Sequence, residues 1–447
     1  MISTRALESR SEKNDHHARV ACKPFSTMLL LLLLLLAFAV QSCGCSCHVS
    51  SAAQLITVVL LRTKELVTFF IGVIVTCVIA ASFAEVQVVD AIHSVPAYFV
   101  LGDSTLDVGE NNYLPNAYHA NFPPYGETFF HRPTGRFSNG RNVGDFIAQA
   151  LALPFAPPYL QPNATFYKGV KFASGGSGLL NTTNPGLVRF ISLANLSWHK
   201  QTLHVKICGF FESYIMCSII IHRPSIELIS RSLFLISVGL NDITFGNLTN
   251  PTTQKQYNAT QYTNLMLEAY KSGIKVSFHH LPMTLYASGT RKIVLFGEGV
   301  DGCEPIVRIQ NNSQCVDFFN ELALEFEAGL KQLVDEFHVI IPGLHLVLAY
   351  QYNIEHDMIT NPQSFRLKNA TAGCCGAGIL NAQYQCGTKV PTNVTGVHQT
   401  LCKHPSEYLY WDYIHNTEYV DKVKFQYYWD GNTSFVYPFN LRTLALV

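Results

Sequence analysis

The chain reads as an α/β protein with a mainly parallel sheet and helices on both faces. Three observations predict this. Segments 95–101, 233–238, 291–297 and 344–349 are largely apolar on both faces, as strands buried inside a parallel sheet are. Segments of helical period fall between them. The strand-like runs at 95–101 and 233–238 stop at Gly and polar residues, where open α/β sheets carry their reactive groups.

Length and composition set the frame. There are 447 residues, 48% hydrophobic, with a formal net charge of zero. That suffices for one large domain or two ordinary ones. A neutral balance gives no electrostatic footprint for a nucleic-acid partner.

The amino-terminal part differs from the rest. Residues 1–65 form an atypical extension that includes an apolar run at 28–40 and Cys43, Cys45 and Cys47. Residues 66–84 carry no charge and follow Arg62 and Lys64. A basic flank, an apolar centre and a small-residue exit at 80–84 read as a secretory signal. The run is also long enough to span a bilayer. The expectation is a secreted product whose single domain occupies 85–447, with a single-pass anchor as the alternative. Asn163, Asn181, Asn195, Asn247, Asn258, Asn311, Asn369, Asn393 and Asn432 stand in Asn-X-Ser/Thr, the acceptor pattern for N-linked glycans. Beyond residue 85 there are eight cysteines, Cys208, Cys217, Cys303, Cys315, Cys374, Cys375, Cys386 and Cys402. The even number suits an oxidising compartment. Cys303 with Cys315 is a pair suggested by proximity, and the connectivity of the last four stays open. Their spacing completes no zinc ligand set, and no metal or cofactor is expected.

In chain order, Val95–Leu101 reads as the first strand and runs into Gly102-Asp103-Ser104. Alone, that tripeptide is as readily a turn whose side chains bond turn amides as a nucleophile. Pro and Gly density through residue 126 argues against regular structure. Phe122, Tyr125, Phe129 and Phe137 either line an acyl cleft or pack this loop on the domain. Asn139 or Gly140 is expected to start a helix through Val143, Phe146, Ile147 and Leu151, ended by Pro154. Residues 170–178 read as a short strand entering a glycine-rich turn without dinucleotide-loop spacing. Segments 191–227 and 275–290 have no clear period and read as inserts. Leu233–Val238 is a buried strand ending in Gly239-Leu240-Asn241-Asp242. A helix is expected over 262–270 and a strand over 291–297. The strongest helix spans 317–337, with Phe318, Leu322, Phe326, Leu330, Leu333, Val334 and Phe337 as its apolar stripe. A strand at 344–349, a helical crossover at 350–365, a cysteine-rich loop and Trp411-Asp412-Tyr413-Ile414-His415 follow.

Four stretches taken together change the reading of Ser104. Gly102-Asp103-Ser104 with Asp107, Phe172-Ala173-Ser174-Gly175-Gly176, Gly239-Leu240-Asn241-Asp242 and Trp411-Asp412-Tyr413-Ile414-His415 occur in that order. In these blocks, over about residues 95–420, the chain resembles the GDSL esterase/lipase family of the SGNH hydrolase superfamily, in its plant secreted branch. The resemblance implies a three-layer α/β/α sandwich. It implies a serine carboxylester hydrolase that forms an acyl-enzyme on Ser104, with His415 as base and Asp412 orienting it. It places the oxyanion donors on the Ser104 amide, the Gly176 amide and the Asn241 side chain, and leaves Asp103 and Asp242 to hold turns. Lys171 stands where the second block usually has Asn. The substrate is a small-molecule or polymer-linked ester: a lipid, a cell-wall acetyl ester or a phenolic ester. The alternatives are an acyltransferase using the same nucleophile, and a catalytically impaired membrane-anchored or binding protein that keeps the fold.

Overall fold

Strand β1, Tyr98–Gly102, is buried along its whole length and sends alternate side chains to opposite sides. Phe99 and Leu101 join one apolar core, whereas Tyr98 and Val100 join the other. The same alternation recurs in β3 (Leu233–Ser237), β4 (Lys292–Phe296) and β5 (His345–Ala349). This is the consequence of a two-residue side-chain period in a sheet covered on both faces. The computed structural model describes residues 95–180, 182–184, 224–247, 251–274, 285–286 and 289–447.

The central sheet has six strands in the order β10-β5-β4-β3-β1-β2, where β2 is Gly169–Lys171 and β10 is Val436–Tyr437. Pairing is parallel throughout except for β10, which runs antiparallel to β5 at the edge. Helices α3 (Ala259–Ile274) and α4 (Asp317–Ile340) cover one face. Helices α1 (Val143–Ala150), α5 (Tyr352–Thr360), α6 (Glu418–Asp430) and α7 (Leu441–Leu446) cover the other. The fold is therefore a three-layer α/β/α sandwich with a mostly parallel sheet. A further helix, α2 (Pro224–Arg231), leads into β3.

Three local expectations need correction. Helix α1 starts later than Asn139: its cap is Asn142, whose Oδ1 accepts from the Asp145 amide while Asp145 Oδ2 accepts from the Asn142 amide. That reciprocal pair satisfies two orphan amide donors of the first turn. Asn139 is instead drawn away to Thr128 and to the Glu418 amide. In α4 it is Phe319, not Phe318, that is buried, so the stripe runs 319, 322, 326, 330, 333 and 337. The loop after Gly109 contains one turn of 3-10 helix, Glu110–Tyr113, where no regular structure was expected.

The described residues fall within one compact unit, Gln87–Val447. The expected extension and the 66–84 segment lie outside the described residues, as do most of the two inserts, Cys208 and Cys217. The alternative of a membrane anchor is corrected for the described residues: among them no helix is long and apolar enough to cross a membrane.

Candidate active site

Three of the predicted residues arrive at the carboxyl ends of neighbouring strands. Ser104 follows β1, the Gly175–Gly176 turn follows β2, and Asn241 follows β3. The strand order reverses direction at β1, between β2 and β3, which is where open sheets form a crevice. Gly102 makes the close approach of β1 to β3 feasible, since a Cβ there would lie 2.2 Å from the Ser237 carbonyl oxygen. The Asp103 amide then donates to that same oxygen at 3.1 Å.

The turn at Ser104 is held by its neighbours. Asp103 Oδ1 accepts from the Thr105 amide and hydroxyl at 2.9 and 2.7 Å. Asp107 Oδ1 accepts from the Gly109 and Glu110 amides, and its Oδ2 accepts from the Gly175 amide at 2.9 Å. Asp107 thus ties the first block to the second. Burial, only partly offset by these donors, pushes Asp103 and Asp107 each up to about 6.

On the second block, the Ser174 amide donates to the Gly102 carbonyl. Gly176 adopts a φ of 87°, a left-handed conformation suited to glycine. Asp242 accepts from the amides of Leu179 and Leu180, at 2.7 and 2.9 Å, and from the Thr183 hydroxyl. Asn241 Nδ2 donates to the Ser177 carbonyl at 2.9 Å, which uses one of its two hydrogens. The amides of Ser104 and Gly176 find no acceptor among the described residues.

The last block comes from the other end of the chain. Strand β9, Tyr408–Tyr410, pairs with β6, Asn369–Gly373, and between them in the chain β7 (Cys375–Ala377) pairs with β8 (Gln399–Leu401). The amides of Cys374 and Cys375 donate to the carbonyls of Tyr410 and Trp411. Disulfides Cys374–Cys402 and Cys375–Cys386 brace this support, and Cys303–Cys315 is formed as proximity suggested. Beyond Trp411 the chain turns tightly, with the Trp411 amide donating to the His415 carbonyl. Asp412 Oδ1 accepts from the Ile414 and His415 amides at 3.0 and 2.8 Å, so the aspartate closes its own turn.

This turn brings His415 between Asp412 and Ser104. Nδ1 lies 2.8 Å from Asp412 Oδ2, and Nε2 lies 2.8 Å from Ser104 Oγ. A carboxylate only accepts, so Nδ1 carries the hydrogen and Nε2 is left to accept from the hydroxyl. Asp412 is fully buried, and Ser104 and His415 keep 7% and 6% of their surface. Burial works to raise the Asp412 pKa, but His415 and the hydrogen bonds to it and Ile414 more than offset that, holding it below its ordinary value. The Phe137 ring lies 4.9 Å from the imidazole, centre to centre.

Comparison with known proteins gives the family. The family model for GDSL-like Lipase/Acylhydrolase matches residues 98–426. The chain belongs to the GDSL esterase/lipase family. It is 33% identical to GDSL esterase/lipase 6 of Arabidopsis thaliana over 363 residues, covering 79% of this chain and 91% of that one. It is 31% identical to GDSL esterase/lipase 7 of the same plant, over 78% of this chain and 92% of the relative. GDSL family membership makes the chain an ester hydrolase working through a serine.

Other sequence readings resolve at this GDSL site. Of the loop aromatics, Phe137 and Tyr125 are buried, while Phe129 lies partly exposed under the Arg141 guanidinium, 4.0 Å from its ring centre. Tyr125 does what its sequence position never signalled: its hydroxyl donates to Asp412 Oδ2 at 2.8 Å. Lys171 is fully buried and pairs with Asp145 at 3.0 Å, and Arg136 grips the same carboxylate at 2.7 Å. The cavity beside Ser104 and His415 measures about 30 Å³ and is also lined by Ser237, Asn416 and Lys424. It has room for a water or two rather than an acyl chain.

Proposed function

We propose that the chain is a secreted serine carboxylester hydrolase in which Ser104 is the nucleophile, His415 the general base and Asp412 its orienting acid. The observation that carries this is the single imidazole, 2.8 Å from Ser104 Oγ on one side and 2.8 Å from Asp412 Oδ2 on the other. As Ser104 Oγ attacks the ester carbonyl carbon, its proton passes to His415 Nε2. The carbonyl oxygen becomes an oxyanion, with the Ser104 amide, the Gly176 amide and the second Asn241 Nδ2 hydrogen as its donors. When the C–O bond to the alcohol breaks, His415 returns the proton to the leaving oxygen and an acyl-Ser104 ester remains. Water then attacks that ester by the same route and frees the acid.

Two features support passage through the secretory route. The described domain is braced by three disulfides. Among the acceptor asparagines, Asn163, Asn258, Asn311, Asn393 and Asn432 are exposed. Asn369 is half-buried, and its Oδ1 accepts from the amides of Thr371 and Ala372 in the same strand. Asn181 and Asn195 lie outside the described residues, as does the side chain of Asn247.

The test is hydrolysis of a series of short to long acyl esters by the purified glycoprotein, with Ser104→Ala as the blank. Loss of turnover with an unchanged circular dichroism spectrum is the expected result. Undiminished turnover by Ser104→Ala refutes the assignment.

A further inference from the structure

Tyr125 and Asp412 are 287 positions apart, yet the phenol hydroxyl meets Asp412 Oδ2 at 2.8 Å. The ring is 1% exposed and stands edge-on to Phe122, Phe137 and Trp411. Its backbone is held as well. The Tyr125 amide donates to the Phe122 carbonyl, and the next amide, of Gly126, donates to the Ser138 carbonyl at 2.9 Å. The hydroxyl is therefore placed by a packed ring on a tied loop.

We propose that Tyr125 is a positioning residue that fixes the Asp412 carboxylate and limits how strongly it draws the proton of His415. This rests on the reading of Ser104, His415 and Asp412 as the catalytic groups.

The carboxylate has two unequal oxygens. Oδ1 is locked by the amides of Ile414 and His415 and also lies 2.9 Å from His415 Nδ1. Oδ2 meets the imidazole and, besides it, Tyr125. Without the phenol, Oδ2 keeps the imidazole as its one partner among the described residues. Burial first, and then the Asp412 charge, push the Tyr125 pKa well above 10, so the phenol keeps its hydrogen and donates throughout the working range. A charge-assisted hydrogen bond of this kind draws negative charge from the carboxylate. Removing it leaves more charge to face an imidazolium, which favours the protonated ring. The other titratable groups that face the pair are Asp103 after β1, Glu304 after β4, and Tyr413 in the turn itself. All three are unchanged in a Tyr125→Phe protein.

The experiment compares wild type, Tyr125→Phe, Asp412→Asn, the double variant and Ser104→Ala on one soluble ester across pH. Tyr125→Phe keeps the ring and its packing. The expected result is about a ten-fold fall in kcat with KM unchanged, the scale of one hydrogen bond to a charged group. The acid limb of its kcat/KM profile moves to higher pH, and the double variant is no slower than Asp412→Asn alone. A Tyr125→Phe protein with the wild-type pH profile and kcat overturns the proposal, whatever happens to its melting temperature. So does a double variant whose losses simply multiply. Full turnover by Ser104→Ala, by contrast, removes the catalytic reading on which the proposal stands.

Discussion

His415 Nε2 lies 2.8 Å from Ser104 Oγ although 311 positions separate the two residues. Each is delivered by a different device. Ser104 sits in a turn at the end of a fully buried strand, so its place is set by the sheet. His415 sits in a turn closed by Asp412, and that turn hangs from strand β9 and the disulfide-braced segment beside it. The imidazole bridges Ser104 and Asp412, which makes its tautomer decisive.

Asp412→Asn tests the tautomer directly. An amide fills the same space, but its NH2 can face Nδ1 and favour the form with hydrogen on Nε2, which cannot take the serine proton. The expected loss in kcat is on the order of 10³–10⁴, with KM little changed. Steady-state hydrolysis near neutral pH measures it. A loss below ten-fold would mean that Asp412 only shapes the turn.

Asp242 reaches the site through the backbone. It accepts from two successive amides, Leu179 and Leu180, just beyond Gly176. Asp242→Asn puts an NH2 group against at least one of those donors. Each buried donor left unsatisfied costs about 1–3 kcal/mol. The variant should therefore lose stability in urea and also lose kcat, because the turn that presents the Gly176 amide is no longer held. Reduced stability with full kcat in the folded fraction would separate Asp242 from oxyanion stabilisation.

Much of this arrangement is legible in the chain because strand ends are legible. Apolar runs that stop at Gly102 and Gly239 mark the crevice, and the first and third blocks lie at those stops. Relationships between distant segments leave no such trace. Tyr125 reads as one loop aromatic among several, since only the fold shows which ring meets Asp412. Lys171 looks like a misplaced charge until α1 supplies Asp145 and the loop before it supplies Arg136. Four cysteines admit three connectivities, and the sequence favours none of them. The edge strand Val436–Tyr437 has two residues, too few to express a period. The Phe318 stripe fails for a local reason: adjacent phenylalanines both suit an apolar position, and burial chooses Phe319.

Stability should fall as pH rises, and Glu327 gives the clearest handle on that. It is 5% exposed on α4, with Oε1 accepting from the Gln351 amide at 2.9 Å. Burial is the main cause that pushes its pKa from 4.5 up to about 8, with Glu355 adding to it and the Gln351 and Tyr352 amides working against it. The folded protein therefore keeps a proton that the unfolded chain releases near its ordinary value. This contribution is fully present below about pH 4.5 and is lost as pH rises towards 8, at up to about 1.4 kcal/mol per unit. Glu298, Asp301 and Glu304 are raised as well, by burial first and then by neighbouring carboxylates, and they steepen the same trend. The informative quantity is thus the difference between wild type and Glu327→Gln, which keeps the shape and the acceptor oxygen but cannot ionise. Urea unfolding at pH 5, 6.5 and 8 should give a shallower fall for Glu327→Gln. Parallel curves for the two proteins would mean that Glu327 is not protonated in the folded state.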